Sequence, residues 1–241
     1  MQAFFAWNPV AVVPYEPTRL YRKFRWGKMA ELVLLDNRSY RDRNDLPDGP
    51  GKTMLGPVQL AWLKETLLES TATWKFIFTS VPLSIPTGFP VAFGRDGWGA
   101  VPDPSAPGVE RTGFERELRD ILQFMRDKGV KNVIWLTTDV HFAEVIRYRP
   151  DLDGDGRADL EFYEVANGPL SAINVAVSPP ARHSQTFRPE VVFAFGQNAF
   201  GFFPEFFNFG VARINGRTGE LTVEIRDING VVKGSHVIRA Q

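Results

Sequence analysis

The alternation of apolar and polar stretches predicts a strand–helix–strand unit in the middle of the chain. Residues 74–81 form a mostly apolar run that stops at Pro82, as in a buried strand. Residues 131–138 form a second run of this kind, and a helical pattern over residues 112–128 lies between the two. This order implies two parallel strands joined by a right-handed crossover.

The helix boundaries are indicated by residues with known capping preferences. Thr112 and Glu115 form the pattern of a capping box, and Gly129 is a typical C-terminal stop. The apolar positions of this helix keep helical spacing: Phe114, Leu118, Ile121, Leu122 and Met125. Upstream, a strand over residues 30–35 precedes a helix over residues 56–69, which begins with Gly-Pro.

The C-terminal part of the chain has the pattern of β-structure. The predicted strands are residues 143–149, 160–165, 208–214, 221–227 and 231–238. The last three form a meander, and Asn229-Gly230 is a strong hairpin signal. We therefore predict one α/β domain, with an α/β part over residues 1–140 and a β-rich part over residues 141–241.

Composition narrows the class of protein further. The chain has 241 residues, of which 44% are hydrophobic and 23% charged, and its formal net charge is zero. Zero net charge gives no general attraction to nucleic acid or to membranes, and no apolar run approaches the ~18 residues of a membrane helix. The absence of cysteine excludes disulfides, thiolate metal ligands and a cysteine nucleophile. The N-terminus lacks the pattern of a signal peptide.

Asp139 and His141 are the first candidate site residues, because they directly follow the buried strand over residues 131–138. In extended backbone two side chains at this spacing point the same way. Ligands of parallel sheets gather at the carboxyl ends of strands, and carboxylate with imidazole suits a metal. An acid/base pair and a buried hydrogen bond are the alternatives. A Ser-His-Asp site is less favoured because no G-x-S-x-G motif occurs.

Arg38 and Arg41 are the second candidates, beside Asp36 at the end of the strand over residues 30–35. Arginine binds phosphate through paired hydrogen bonds, so these side chains are candidate phosphate contacts. The alternative is structural, with one arginine bracing a buried aspartate and the other solvated.

An acidic turn between the predicted strands over residues 143–149 and 160–165 is the third candidate. Its carboxylates are Asp151, Asp153, Asp155 and Asp159, in a D-x-D-x-D-G pattern that matches the start of a calcium-binding loop. Phe162 stands where such a loop has a bidentate glutamate, and strands replace the usual flanking helices. A solvated hairpin turn is therefore the alternative.

An aromatic-rich stretch covers residues 193–209. Platforms on which nucleic-acid bases stack combine aromatic with basic residues, but no lysine or arginine occurs between Arg188 and Arg213. We therefore predict core packing or a pocket wall here.

Taken in order, the motifs of this sequence resemble those of the alkaline phosphatase D (PhoD-like) family of metallophosphoesterases. The matching segments are residues 24–28 (FRWGK), 35–41 (L-D-x-R-x-Y-R), 55–63, 96–98 (DGW), 112–117, 137–141 (T-x-D-V-H), 161–164, 168–170 (GPL), 209–210 and 221–230. These segments cover nearly the whole chain.

The resemblance implies a fold, a function and a site. It implies part of a four-layer αββα sandwich and the hydrolysis of phosphate monoesters or diesters outside the cytoplasm. A cluster of iron and calcium would use Asp139 and His141 as ligands, with a phosphate ester as the partner molecule. Arg38 or Arg41 would neutralise phosphoryl charge, and a loop with Asp96 and Trp98 would shape the substrate pocket.

The sequence also departs from the family. Its other metal-ligand motifs, G-D-x-x-Y and N-[DH]-H-E, do not occur here. We therefore expect residues 1–241 to correspond to the C-terminal part of the family's catalytic domain and to be a weak phosphatase alone. The alternatives are a non-catalytic fragment and an extracellular calcium-binding β module.

Overall fold

A large mixed β-sheet is the centre of the structure. The computed structural model describes residues 2–88, 93–100, 111–176 and 183–241. The sheet has seven strands in the order β1-β2-β3-β4-β6-β5-β7. Their bounds are β1 Arg22–Trp26, β2 Ala30–Leu34, β3 Trp74–Phe78, β4 Val133–Thr137, β5 Ala143–Tyr148, β6 Phe162–Ala166 and β7 Pro189–Phe195. Strands β2, β3, β4 and β6 are parallel neighbours, while β1, β5 and β7 pair antiparallel.

Two helices, α2 Gly56–Glu69 and α3 Glu115–Asp127, cover one face of this sheet. A short helix, α1 Gln2–Trp7, precedes the first strand, and its Trp7 is exposed. Alternate residues of the central strands, such as Val33, Ile77 and Trp135, belong to the same buried cluster as Leu63 of α2 and Leu118 of α3. The period of two along each strand thus directs one set of side chains to the helical layer.

A three-stranded antiparallel sheet packs against the opposite face. It consists of β8 Asn208–Ile214, β9 Leu221–Asp227 and β10 Val232–Ile238, in the order β10-β9-β8. The intervening residues of the central strands, such as Phe76 and Ile134, form a second buried cluster with Val223 and Ile225 of β9. In β9, buried and half-buried residues alternate, as expected for a strand with one face on the core.

The fold class is confirmed: the structure is α/β with a β-rich C-terminal portion. The predicted helix over residues 56–69 has the observed bounds of α2, and the parallel pairing of β3 with β4 follows from the predicted βαβ unit. No helix among the described residues is long and apolar enough to cross a membrane.

The predicted capping box is wrong. Helix α3 starts at Glu115, three residues later than expected, and has no side-chain cap at Phe114. The Thr112 hydroxyl accepts instead from the Arg95 backbone N–H, and the Glu115 carboxylate accepts from the Ala100 N–H. Thr112 and Glu115 therefore bind the backbone of the loop before the helix and do not form the capping box.

An open apolar groove lies between the two sheets beside β8. It has a volume of about 460 Å³, and its apolar lining includes Leu34, Phe76, Phe78, Leu136 and Val223. Its polar lining comes from residues after the strand ends, among them Ser80, Thr138 and Asn167. The groove therefore reaches the edge of the sheet where the candidate site lies.

Candidate metal and phosphate site

The candidate site lies where the four parallel strands end. Each of these strands is followed within three residues by a polar side chain: Asn37 after β2, Ser80 after β3, Thr138 after β4 and Asn167 after β6. Parallel pairing brings their carboxyl ends to one edge of the sheet, which is where such sheets bind ligands. Asp36, Asp139 and His141 follow strands that end at this same edge.

Asp139 and His141 line one pocket just beyond the end of β4. The pocket has a volume of about 330 Å³ and also includes Asn167 and Asn208. The backbone does not stay extended here, because φ is 78° at Asp139 and 62° at His141. The structure therefore brings the two side chains into one pocket through a left-handed turn, not through the strand alternation assumed from the sequence.

The orientation of the His141 ring is fixed by a backbone carbonyl. His141 Nδ1 is 2.5 Å from the Ile173 carbonyl oxygen, which can only accept a hydrogen bond. Nδ1 therefore carries the proton, and in the neutral ring Nε2 keeps its lone pair. A hydrogen bond of this kind is the usual arrangement of a metal-binding histidine.

Asp139 is exposed to solvent as a residue, but neighbouring protein atoms partly surround its carboxyl group. Burial of the carboxyl, followed by the negative charge of Asp96, raises its pKa. Both effects disfavour the ionised form, so a bound cation would offset an unfavourable interaction that this carboxylate otherwise experiences.

Arg38, Arg41 and Asp96 form one cluster beside Asp139. Arg38 Nη1 lies 2.8 Å from both carboxylate oxygens of Asp96, and Arg41 Nη1 lies 2.5 Å from Oδ1. The aspartate that the arginines brace is therefore Asp96 and not Asp36, whose Oδ1 accepts from the backbone N–H groups of residues 38 and 39. The three residues predicted to contact phosphate thus lie together, and contact with phosphate itself remains a prediction.

Asp96 is expected to stabilise the fold at neutral pH and not in acid. Burial alone would raise its pKa, but hydrogen bonds from Arg38, Arg41 and Asn44 outweigh burial and lower it. A lowered pKa means that this stabilisation is present above the ordinary value of 3.8 and is lost as pH falls through the folded-state pKa. We expect Asp96→Asn to lower the free energy of unfolding by about 1–3 kcal/mol at pH 7.

Urea unfolding of both proteins at pH 7 and at the lowest pH where both fold tests this. The difference between them should shrink in acid. A difference that stays constant with pH would mean that the Asp96 carboxylate charge contributes nothing to stability.

The Trp98 side chain does not line the cleft, so the expectation that its loop shapes a substrate pocket stays a prediction that falls on Asp96. Its side chain is completely buried, and its ring contacts Trp135 of β4 at a centroid distance of 6.3 Å. Its Nε1 lies 3.4 Å from the Thr79 hydroxyl. Trp98 therefore anchors the loop that carries Asp96 to the helical side of the sheet.

Three of the four aspartates in the acidic turn come together. Carboxylate oxygens of Asp151, Asp153 and Asp159 lie within 4.8 Å of one another, whereas Asp155 is not part of this group. Two arginines reduce the negative charge: Arg188 Nη2 is 2.8 Å from Asp151, and Arg126 Nη1 is 3.7 Å from Asp159. The turn joins β5 to β6, at the opposite end of β6 from Asn167.

A buried glutamate supports the strand edge and was missed as a functional candidate. Glu164 of β6 is fully buried and accepts from the Leu83 N–H at 3.0 Å, the Thr137 hydroxyl at 2.7 Å and the Tyr148 hydroxyl at 2.5 Å. It thereby joins the loop after β3 to the last residue of β4. The sequence signals were its place in a strand otherwise rich in apolar residues and its position in the matching segment 161–164.

Asn167 and Asn208 are the other missed residues. The Asn208 amide forms two hydrogen bonds with the Gly168 peptide, accepting from its N–H at 2.9 Å and donating to its carbonyl at 2.8 Å. Asn167 immediately precedes this clamped peptide and lines the pocket with Asp139 and His141. Neither asparagine lies in a motif that indicates chemistry from spacing alone.

Comparison with known proteins assigns the family. A family model described as PhoD-like phosphatase matches residues 1–225. This chain belongs to the PhoD-like phosphatase family. The alkaline phosphatase D of Bacillus subtilis (strain 168) is 29% identical to it over 153 residues, which are 58% of this chain and 24% of that protein. A solved structure described as "Structure of PhoD" is similar to 99% of this chain, with a TM-score of 0.63 and 20% identity.

The length covered limits what the PhoD-like relatives imply. This chain spans about a quarter of the Bacillus protein and 44% of the solved PhoD chain. At 20% identity the structural likeness establishes the fold alone. For this chain, the activity of those larger proteins is therefore a proposal.

Proposed function

We propose that this chain contributes to the hydrolysis of phosphate esters at a metal site on the strand edge. The observation that carries the proposal is the shared pocket of Asp139 and His141, in which Nδ1 of His141 donates to a carbonyl and Nε2 has no hydrogen-bond partner among the described residues. Membership of the PhoD-like phosphatase family supports hydrolysis of a phosphate ester as the reaction.

The residues of the pocket fit a metal ion. A carboxylate and a neutral imidazole suit iron, and calcium prefers oxygen ligands such as the Asp139 carboxylate. Asp139 and His141 would hold the metal, with iron and calcium as the proposed ions. When bound, such ions polarise phosphoryl oxygens and lower the pKa of a coordinated water.

Arg38 would contribute positive charge to the same edge. Its side chain is 46% exposed, and only Nη1 of its guanidinium donates to Asp96 among the described contacts. The ion pair with Asp96 already fixes the position of the Arg38 guanidinium, and therefore also that of its other N–H groups. Arg38 would therefore meet a phosphoryl oxygen at little further conformational cost.

Hydrolysis of an aryl phosphate monoester and diester tests the proposal. We expect slow turnover in the presence of iron and calcium, because two recognised ligand residues hold metal weakly. Turnover should disappear with a chelator and with Asp139→Asn. Equal turnover by the wild type and by Asp139→Asn would place the reaction elsewhere in the molecule.

We further propose that the family resemblance extends to location and partners. The reaction would take place outside the cytoplasm, and the partner would be the phosphate ester itself. Expression with a reporter that is active only outside the cytoplasm, fused to the natural gene, tests the location.

Calcium binding by the acidic turn is a second proposal. The grouping of Asp151, Asp153 and Asp159 favours it, because carboxylate oxygens at such distances match the ligands that calcium takes. A bound cation would also relieve the repulsion that remains among the three carboxylates.

Millimolar calcium is expected to raise the melting temperature by mass action. Asp153→Asn removes one carboxylate charge from the group and should abolish the increase. Asp155→Asn removes the same charge from the same turn but lies outside the group, so it should keep the increase. An unchanged melting temperature of the wild type, relative to a chelator control, would leave only a solvated hairpin.

A further inference from the structure

Asn167 occupies a position beside the metal-site turn that the strand register fixes. Thr137 of β4 pairs with Ala166 of β6, and the Asn167 N–H donates to the Thr137 carbonyl at 3.4 Å. Asn167 therefore lies beside Thr138 at the edge of the sheet, and Thr138 is the residue before Asp139. It lines both the pocket of Asp139 and the groove between the sheets.

Residues of β8 hold the backbone after Asn167 and leave space for its side chain. Asn208, the first residue of β8, clamps the following Gly168 peptide through both atoms of its amide. Gly210, two residues further along β8, faces the Asn167 side chain directly. A Cβ at Gly210 would lie 3.1 Å from Asn167 Nδ2 and 3.3 Å from its Cγ, so glycine leaves room for the amide.

Among the described residues that line this pocket, the Asn167 amide is a side-chain donor without a hydrogen-bond partner. Among the described lining residues, Thr138 donates its hydroxyl hydrogen to a backbone carbonyl, and His141 donates through Nδ1 to another. Asn208 donates to two carbonyls. No hydrogen bond of the Asn167 side chain is found among the described residues, although its Nδ2 carries two hydrogens.

A phosphoryl group needs such a donor. Its non-bridging oxygens carry negative charge and accept several hydrogen bonds, and a metal ion occupies only some of these positions. Asp139 presents an acceptor and repels a phosphate in the absence of a cation. The pocket therefore pairs a cation-binding side with a side-chain N–H donor that has no partner among the described residues.

We propose that Asn167 is a substrate-binding residue that donates an Nδ2 hydrogen bond to a non-bridging phosphoryl oxygen. This inference rests on the proposed function of the pocket and adds to it a contact from the end of β6. Asn208 is a positioning residue in this arrangement, because it holds the Gly168 peptide and not the phosphate.

Binding of inorganic phosphate to the chain loaded with iron and calcium tests the inference without relying on turnover. Titration calorimetry would compare the wild type with Asn167→Ala, Asn167→Asp and, as a matched control, Asn198→Ala, whose exposed side chain does not line this pocket. Loss of a hydrogen bond to a charged group should weaken phosphate binding by about 10- to 100-fold in Asn167→Ala. Asn167→Asp should weaken it more, since it removes the donor and adds a negative charge.

The side-chain amide resonances of Asn167 give a second readout. They are assigned by their absence from Asn167→Ala, and they should shift on addition of phosphate in the wild type and not in His141→Ala. A purely structural role would leave them unchanged. Phosphate binding that is lost in His141→Ala but retained in Asn167→Ala would overturn this inference and leave the proposed function intact. No phosphate binding by the wild type with calcium or iron would overturn both.

Discussion

Replacing His141 with alanine is expected to lower the affinity of the chain for iron by roughly 100-fold or more. Loss of an outer partner of a metal ligand already costs about 10–100-fold, and this substitution removes the ligand itself. The change is otherwise small, because the ring is partly exposed and its hydrogen bond to the Ile173 carbonyl is made at the surface. Titration calorimetry with the metal measures the effect.

His236→Ala is the matched control for this prediction. His236 lies in β10, where its ring contacts Tyr163 at 5.5 Å, and it is not among the residues that line the pocket of Asp139 and His141. Burial lowers its pKa, so the neutral form that can bind a metal is favoured at pH 7. Equal losses of affinity in the two variants would show that metal binding is nonspecific.

The central fold could be predicted from sequence because its signals are local. The apolar runs that became β3 and β4 carry their own pattern, and Pro57 and Gly129 mark helix ends through backbone chemistry. Strand β1 was not recognised because four of its five residues are exposed and it is rich in basic side chains. An edge strand with little buried surface lacks the alternation on which the prediction depends.

The site was only partly predictable, for a different reason. Asp139 and His141 were found because they follow a recognisable strand within a recognisable motif. Asn167 belongs to the site because β6 lies next to β4, although β5 comes between them along the chain. Strand order of this kind is decided by long-range packing and is not written in the spacing of residues within either strand.

Glu164 has the largest expected effect on stability. Its buried carboxylate accepts three hydrogen bonds, from the loop after β3, from β4 and from β5. We expect Glu164→Ala to lower the free energy of unfolding by about 3–5 kcal/mol, because three donors lose their acceptor and a cavity remains. Urea unfolding at constant pH measures this. A loss below about 1 kcal/mol would mean that water replaces the carboxylate.

Glu164→Gln separates the hydrogen bonds from the charge. The glutamine oxygen can still accept from the Leu83 N–H and the Thr137 hydroxyl. The Tyr148 hydroxyl can turn to donate to Ser84, from which it lies 2.6 Å. We therefore expect a loss of only about 1–2 kcal/mol for this variant. Glu164→Gln keeps the volume of the side chain and does not titrate. It is therefore the variant with which the pH dependence of the wild-type stability is compared.

The pH dependence of the difference between wild type and Glu164→Gln should have a definite sign. Burial raises the pKa of Glu164 above its ordinary value of 4.5, despite the hydrogen bonds from Tyr148 and Thr137 that act to lower it. Between pH 4.5 and the raised pKa of the folded state, the folded protein therefore binds more protons than the unfolded chain. The contribution of Glu164 is fully present below pH 4.5 and is lost as pH rises through the folded-state pKa. Glutamine does not titrate, so the stability advantage of the wild type should shrink over this interval. An advantage that grows with pH would mean that the three donors outweigh burial and that the buried carboxylate is stabilised in its charged form.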